Sequence, residues 1–259
     1  MTTIAHKSAK PSHYDKEAKH YDAFNEKSSR IINKTIDAAL KKNSVKTVLD
    51  LSCGTGSQVF WLSKKGYKVT GVDVNEKMLN IAKRKSRSEK IKLVFIKGDM
   101  RKTHVGEFDA VVTIFNSIGH LTKNDFNKTL RNIHGNLNKE GLYIFDIFNL
   151  SYLLKADNIT KLTIDWQKKS GNTTAREIQY STINHEGILA SYDIYHEQKG
   201  NAKPKITTAF QTLQVYSSKQ LTEMLKKNGF KVLNKCEVDG SKFYEHKSER
   251  LLIVAQKNK

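Results

Sequence analysis

The chain of 259 residues is long enough for one large α/β domain, or for a core domain that carries an insertion. Its 38% hydrophobic and 27% charged residues are ordinary for a soluble protein, and no apolar run approaches the ~20 residues of a membrane span. The first ten residues lack the apolar core of a secretory signal, and two cysteines make no disulfide framework, so we expect a cytoplasmic protein.

The net charge of +19 has two interpretations. Clustered basic side chains bind the phosphates of nucleic acids, which favours an RNA partner. However, the excess is mostly lysine, only seven residues are arginine, and the basic residues are dispersed. Because arginine is the residue that reads phosphates and bases in bidentate fashion, this mixture favours a compositional bias. We expect a small-molecule substrate, keep nucleic acid open as an alternative partner, and expect no membrane partner.

The first 150 residues alternate between helical and strand patterns. After a polar amino-terminal arm, apolar residues at helical spacing predict helices at 30–41, 59–65 and 125–137. A further helix is capped by Asn75 and has Met78, Leu79, Ile81 and Ala82 on its core face. Strands are predicted at 47–51, 68–72, 91–96, 108–115 and 142–147. Strands that alternate with helices in this way predict a parallel sheet with right-handed crossovers.

The pattern changes after residue 150 to that of an antiparallel meander. Strand-like runs at 162–166, 175–180, 188–195 and 206–216 are separated by turn signals. A helix at 218–228 ends at Gly229, and strands at 230–238 and 250–256 close the chain. We therefore divide the chain into a core with an amino-terminal arm (1–150), an antiparallel β cap on the substrate side (151–216), and a closing helix with strands of the core (217–259).

The most informative motif runs from a strand into a glycine loop, Val48-Leu49-Asp50-Leu51-Ser52-Cys53-Gly54-Thr55-Gly56. A second strand ends in Asp73, which is the layout of a nucleotide-binding βαβ unit. A dinucleotide site requires a third glycine where this chain has Val59, and a diphosphate would meet the negative charge of Asp50. A ligand with a positive centre fits next to Asp50 better than a diphosphate does. The segment resembles the D-x-x-C/G-G-x-G pattern of S-adenosylmethionine (SAM) methyltransferases.

In a SAM site, the acid at the end of each successive strand would bind a different part of the cofactor. Asp50 and the loop backbone can hold the amino-acid end, Asp73 can accept from the ribose hydroxyls, and Asp99 can accept from the adenine amino group, although such acids are also common as caps and turn formers. The predicted cofactor contacts are Tyr21, Asp50, Ser52, Gly54, Gly56, Asp73, Val74, Met78, Asp99, Met100, Phe115 and Asn116.

The segment after the fourth strand, 115–121, should face the transferred methyl group, because ligands lie beyond the carboxyl ends of the strands. His120 in this segment can accept a proton from an amine or orient it, since its ordinary pKa lies near neutrality. The alternative is a capping or core histidine. Tyr14 and Tyr21 can close over the site from the arm, or can serve as anchors. We predict His120 and Tyr14 as the catalytic residues.

The runs 97–101, 107–112 and 116–121 together resemble the small-molecule branch of class I SAM-dependent methyltransferases. They are similar to amino-sugar N,N-dimethyltransferases, which share Ser-Ile-Gly-His, and to glycine N-methyltransferases, which share an Asn-Ser pair followed by a histidine. The resemblance covers residues 14–256 and implies a Rossmann-like, doubly wound α/β fold with a mostly parallel seven-stranded sheet and an inserted antiparallel β cap. In the sugar enzymes an arm tyrosine and this histidine line the acceptor site, and they match Tyr14 and His120.

The sequence thus predicts an enzyme that transfers a methyl group from SAM to a small molecule, with an amine nitrogen as the favoured target. It lacks the Asn-Pro-Pro-Tyr motif of base N-methyltransferases and the Pro-Cys nucleophile of pyrimidine C5 enzymes. No metal site is expected, because the histidines, acids and cysteines lack ligand spacing. Two alternatives stay open: a tRNA or rRNA methyltransferase, and a non-catalytic SAM-binding regulatory protein.

Overall fold

Two β-sheets with flanking helices make up the part of the chain that the structure, a computed structural model, describes. The described residues are 4–15, 18, 21–155 and 162–258, without the side chains of 21–28, 162–166, 168 and 170. The helices are α1 (Tyr21–Lys42), α2 (Ser57–Lys64), α3 (Glu76–Ser88), α4 (Lys123–Gly135), α5 (Leu150–Lys155) and α6 (Ser218–Lys227), with a 3-10 helix at Ser117–His120. None of these helices is long and apolar enough to cross a membrane.

The larger sheet has seven strands in the order β10-β11-β5-β4-β1-β2-β3. Its strands are β1 (Thr47–Asp50), β2 (Lys68–Asp73), β3 (Val94–Lys97), β4 (Phe108–Thr113), β5 (Leu137–Phe148), β10 (Phe230–Cys236) and β11 (Arg250–Lys257). Only β11 runs antiparallel to its neighbours, and a separate apolar core covers each face of the sheet. The predicted Rossmann-like, mostly parallel seven-stranded sheet is confirmed.

The smaller sheet is antiparallel throughout, in the order β6-β7-β8-β9. Its strands are β6 (Leu162–Ser170), β7 (Thr173–Ile183), β8 (Ile188–Lys199) and β9 (Lys205–Gln214). The end of β9 packs on the 3-10 helix, where a Cβ on Gly119 would lie 3.3 Å from the Gln214 carbonyl oxygen. This contact places the base of the predicted cap next to the segment that follows β4.

Three local features differ from the sequence prediction. Helix α1 begins at Tyr21 rather than at residue 30, and its buried face is formed by Ile32, Ile36 and Leu40. Strand β5 begins at Leu137, because the polar residues 138–141 form an irregularity in the strand instead of a turn before it. Helix α5 and the 3-10 helix were not predicted, since both are too short to show a clear helical period.

Candidate functional site

A cavity opens at the carboxyl edge of the larger sheet, beneath the amino-terminal arm. It encloses about 880 Å³ of empty space, part of which is open to solvent. Ten predicted site residues line it: Tyr14, Ser52, Gly54, Asp73, Val74, Met78, Asp99, Met100, Phe115 and His120. A second cavity of about 390 Å³ shares Ser52, Gly54 and Phe115 with the first and is also lined by Asp50. The structure therefore brings most of the predicted site together.

Asp73 holds the glycine loop against the end of β2. Its carboxylate accepts hydrogen bonds from the backbone N–H groups of Gly54 and Asn75, both at 2.8 Å. Burial raises the pKa of Asp73 from its ordinary value, while these backbone bonds oppose the rise. A carboxylate offers about four acceptor sites, so Asp73 can still accept from a diol in the cavity that it lines.

Asp50 is a fully buried carboxyl at the end of β1. Its described hydrogen bond comes from the backbone N–H of Ser52 at 3.1 Å, and none of the described ion pairs includes it. Burial raises the pKa of Asp50 to about 7, and the charge of Asp73 adds to the rise. The site thus holds two buried acids that a cationic ligand would stabilise.

Polar atoms without partners surround the second cavity. Ser52 Oγ and both amide atoms of Gln58 are buried and have no hydrogen-bond partner in the described part of the chain. Such groups cost free energy unless a ligand or water satisfies them. Together with Asp50 they form a donor and acceptor set that suits the ammonium and carboxylate of an amino acid. Gln58, on the first turn of α2, was not among the predicted residues, because no motif in the sequence includes it.

Asp99 lies two residues beyond β3 and is already bound by a neighbour. Arg101 donates from Nε to both carboxylate oxygens of Asp99, at 2.9 and 3.0 Å, and from Nη1 to Asp125 at 2.8 Å. Burial alone would raise the pKa of Asp99, but the hydrogen bonds and charge of Arg101 hold it below its ordinary value. Arg101, which also lines the first cavity, was not among the predicted residues.

Tyr14 and His120 meet directly at the arm side of the cavity. The Tyr14 hydroxyl and His120 Nε2 are hydrogen-bonded at 2.6 Å, although the residues are 106 positions apart. The ring of His13 lies 5.1 Å from that of His120. Burial, and then the neighbouring His13 and His6, lower the pKa of His120 to about 3, so its imidazole is neutral at physiological pH. Its buried Nδ1 has no hydrogen-bond partner among the described residues.

The amino-terminal arm crosses the cavity and is fixed on both sides of it. Among the hydrogen bonds that hold it, the Ala9 N–H donates to the His120 carbonyl, Asn75 Nδ2 donates to the Pro11 carbonyl, and His6 Nδ1 bonds to Thr212 Oγ1 of β9, each at 2.8 Å. Ala9, Lys10, Pro11 and His13 therefore line the cavity, and none of them was predicted. The polar arm has no periodic pattern of apolar residues from which its place over the cavity could be predicted.

Three predicted cofactor contacts lie apart from both cavities or outside the described residues. Gly56 lines neither cavity; its φ is +85°, and a Cβ there would lie 3.0 Å from the Phe95 ring, so a tight turn requires glycine. Asn116 accepts a hydrogen bond from the Phe148 N–H at 2.7 Å and also lines neither cavity. The side chain of Tyr21 lies outside the described residues.

Comparisons with known proteins show which family the chain is similar to. Residues 48–141 match a family model described as a methyltransferase domain. The Bacillus subtilis (strain 168) protein YqeM, which is named as a methyltransferase, is 31% identical over 240 residues, covering 87% of this chain and 89% of its own.

Two solved structures share the fold. A SAM-dependent methyltransferase from Clostridium acetobutylicum ATCC 824 has a TM-score of 0.78 at 20% identity, over 95% of this chain and 99% of its own. The SAM-bound amino pentose methyltransferase of calicheamicin biosynthesis from Micromonospora echinaspora has a TM-score of 0.73 at 16% identity, over 92% of this chain and 96% of its own.

Proposed function

The chain belongs to the SAM-dependent methyltransferases, and from this premise we propose that it methylates an amine nitrogen of a small molecule. SAM is the cofactor, and when bound it supplies an electrophilic methyl group on a sulfonium cation. The amine is favoured by the likeness in fold to an amino pentose methyltransferase and by the neutral pair of Tyr14 and His120. A cationic side chain in their place would repel a sulfonium.

The cofactor side suits SAM in three parts. Asp50, with Ser52 and Gln58, holds the amino-acid end, since these residues combine a buried acid with polar atoms that lack partners. Asp73 binds the ribose hydroxyls with its remaining acceptor capacity. The Asp99–Arg101 pair lines the part of the cavity beyond β3, where we place the adenine, with Met78 and Met100 on its faces.

The contact between Tyr14 and His120 carries the proposal for the acceptor. In the proposed tautomer, His120 donates from Nε2 to the Tyr14 oxygen, which leaves the buried Nδ1 as an acceptor for an amine N–H. An imidazole with a pKa of about 3 is a weak base, so its role is to orient the amine nitrogen rather than to store its proton. Positioning of this kind is the main requirement of an in-line displacement.

The antiparallel sheet serves as the acceptor-side cap in this proposal. We keep the division into a core with its arm (1–150), a cap (151–216) and closing elements of the core (217–259). The contact between His6 and Thr212 supports it, because it ties the arm to the cap beside the methyl-transfer site.

A radiolabel assay tests the proposal. Purified protein is incubated with SAM that is labelled in its methyl group. Each reaction contains one class of acceptor: amino sugars, short amino acids, or total RNA. We expect label in an amine, and none in the matched compound that has a hydroxyl in place of the amine. Label in RNA alone would contradict the proposal in favour of an RNA methyltransferase. SAM binding without label in any acceptor would favour a non-catalytic protein.

A further inference from the structure

A strained turn carries the chain from β4 into the segment that contains His120. The backbone N–H of Ser117 donates to the Ile114 carbonyl at 3.3 Å and closes the turn. Both central residues have a positive φ, +58° at Phe115 and +57° at Asn116, as in a type I′ turn. Asparagine tolerates this region, but a bulky side chain such as phenylalanine rarely adopts it. Strain of this kind persists only where the surrounding structure imposes it, and it is concentrated at functional sites.

The carboxylate of Asp146, near the end of β5, holds this turn. Asp146 is fully buried, and it accepts a hydrogen bond from the Phe115 N–H at 2.7 Å. The side-chain oxygen of Asn116 accepts a second bond from β5, from the Phe148 N–H at 2.7 Å. Both central residues of the turn are therefore attached to β5, which offsets the cost of their positive φ.

Arg250, the first residue of β11, completes the arrangement. It donates from Nη2 to Asp146, in an ion pair whose acid is fully buried and whose arginine is 20% exposed. The guanidinium carbon lies 5.8 Å from the ring centre of Phe115 and 5.6 Å from that of Phe148. Burial raises the pKa of Asp146, and the charge of Arg250 opposes the rise. Without Arg250 the buried acid would favour its protonated form, which is a weaker hydrogen-bond acceptor.

The turn fixes the place of two parts of the site. Phe115 lines both cavities, and the 3-10 helix Ser117–His120 begins directly after the turn. His120 at the end of that helix contacts Tyr14 through its imidazole and the Ala9 N–H through its carbonyl. A change in the turn would therefore displace the residue that orients the acceptor.

We propose that Asp146 and Arg250 are positioning residues for methyl transfer, and that they act by holding the strained turn at Phe115. Neither residue lines a cavity of the site, so each acts through the turn and not by contact with the substrate. This role rests on the proposed function, because it concerns the same transfer. An in-line displacement depends on such positioning, since a misplacement of about 1 Å can lower the rate about 10²-fold.

Asp146→Asn tests the pair, because the amide keeps the shape of the side chain and removes its charge. We expect kcat to fall by about tenfold to 10²-fold, and the Kd for SAM to rise far less, since the strand ends hold most of the cofactor contacts. Asp109→Asn is the control. Asp109 accepts from the N–H groups of Lys46 and Thr47 at 3.0 and 2.9 Å, at the opposite end of β4. Its substitution should lower the thermal stability and leave kcat unchanged.

Arg250 gives a second test that does not alter the buried acid. Arg250→Met removes the charge and should lower kcat, whereas Arg250→Lys keeps a cation beside Asp146 and should retain more activity. A double variant tests the link to strain. Glycine adopts a positive φ readily, so in a Phe115→Gly background the change Asp146→Asn should lower kcat by a smaller factor than it does in the parent protein. If Asp146→Asn does not fold, the two Arg250 variants decide.

Hydrogen exchange measured by mass spectrometry separates this role from the proposed function. The amides of residues 114–121 should exchange faster in Asp146→Asn than in the parent protein, and those of residues 68–73 should not. The kcat is measured on whichever acceptor takes label. If no acceptor takes label, the proposed function fails, and the exchange data still decide whether the pair holds the turn.

Three results would overturn the positioning role. The first is a kcat like that of the parent protein in both Asp146→Asn and Arg250→Met. The second is an equal loss of kcat in Asp109→Asn, which would show that any loss of stability slows transfer. The third is unchanged exchange at residues 114–121 in Asp146→Asn, because the turn would then keep its geometry without the pair.

Discussion

The cofactor side and the acceptor side of the site are assembled in different ways. On the cofactor side, Asp50 and Asp73 are the last residues of β1 and β2, and Asp99 lies two residues beyond the end of β3. On the acceptor side, Tyr14 and His120 are 106 positions apart and meet through an arm that hydrogen bonds fix across the cavity. The sheet thus positions the first set, and long-range contacts position the second.

This difference implies that the two functions can be separated by mutation. The strand ends are held by a buried parallel sheet whose central residues are fully covered, so they should keep their geometry when the acceptor side changes. The arm has few buried apolar residues and is held mainly by hydrogen bonds, which places it among the segments that open most easily. Single substitutions should therefore change SAM binding and methyl transfer independently of each other.

The largest effect is expected for His120→Ala. Loss of the group that orients the acceptor should lower kcat by about 10²-fold or more, the usual effect of a reacting group that is displaced by about 1 Å. The Kd for SAM should stay near that of the parent protein, because His120 lies on the arm side of the cavity. Steady-state kinetics and calorimetry measure the two quantities. The control is His104→Ala, an exposed histidine that lines neither cavity.

Should His120→Ala weaken SAM binding as strongly as it lowers kcat, the two sides of the site would not be separable. Tyr14→Phe refines the result, because it removes the hydroxyl that is bonded to His120 and keeps the ring. It should lower kcat less than His120→Ala does. An unchanged kcat in Tyr14→Phe would mean that the hydroxyl does not contribute to methyl transfer and that Tyr14 only packs against its neighbours.

Asp73→Ala should give the next largest effect, this time on binding. In the proposed complex, the two ribose hydroxyls of SAM donate to the Asp73 carboxylate. Hydrogen bonds to a charged group contribute about 1.5–3 kcal/mol each, so loss of these two bonds should raise the Kd for SAM by about 100-fold or more. The glycine loop would also lose the hydrogen bond that the Gly54 N–H donates to Asp73. Glu107→Ala is the control, since this exposed acid precedes β4 at the opposite edge of the sheet. Equal affinity in the two variants would contradict the assignment of Asp73.

The same difference explains how much of the site the sequence could predict. Asp50, Asp73 and Asp99 follow recognisable strands, so their positions in the chain already indicate a common edge. The pairing of Arg101 with Asp99, and the place of residues 9–13 over the cavity, depend on tertiary contacts that leave no period in the sequence. Asn116 illustrates the reverse error: it stands in a motif that faces the cavity, yet its side chain turns to the Phe148 N–H.

The smallest expected effect is a pH dependence of the Kd for SAM, which arises on the cofactor side of the site. Burial raises the pKa of Asp50 to about 7, so in the free protein this carboxyl is largely protonated below pH 7. The ammonium of SAM stabilises the ionised form, so binding below pH 7 must release a proton. The Kd should therefore rise about tenfold for each unit that the pH falls below about 7, until the pKa of the bound state is reached.

Calorimetry in buffers of different ionisation enthalpy measures both the Kd and the released proton. Asp50→Asn is the matched variant, because the amide keeps the shape of the side chain and cannot titrate. Its SAM affinity should be lower at pH 7.5 and should change less with pH between about 5.5 and 7 than that of the parent protein. A parent protein whose Kd is equally flat would show that Asp50 is ionised before SAM binds, and the polar atoms around Gln58 would then have to hold the ammonium without it.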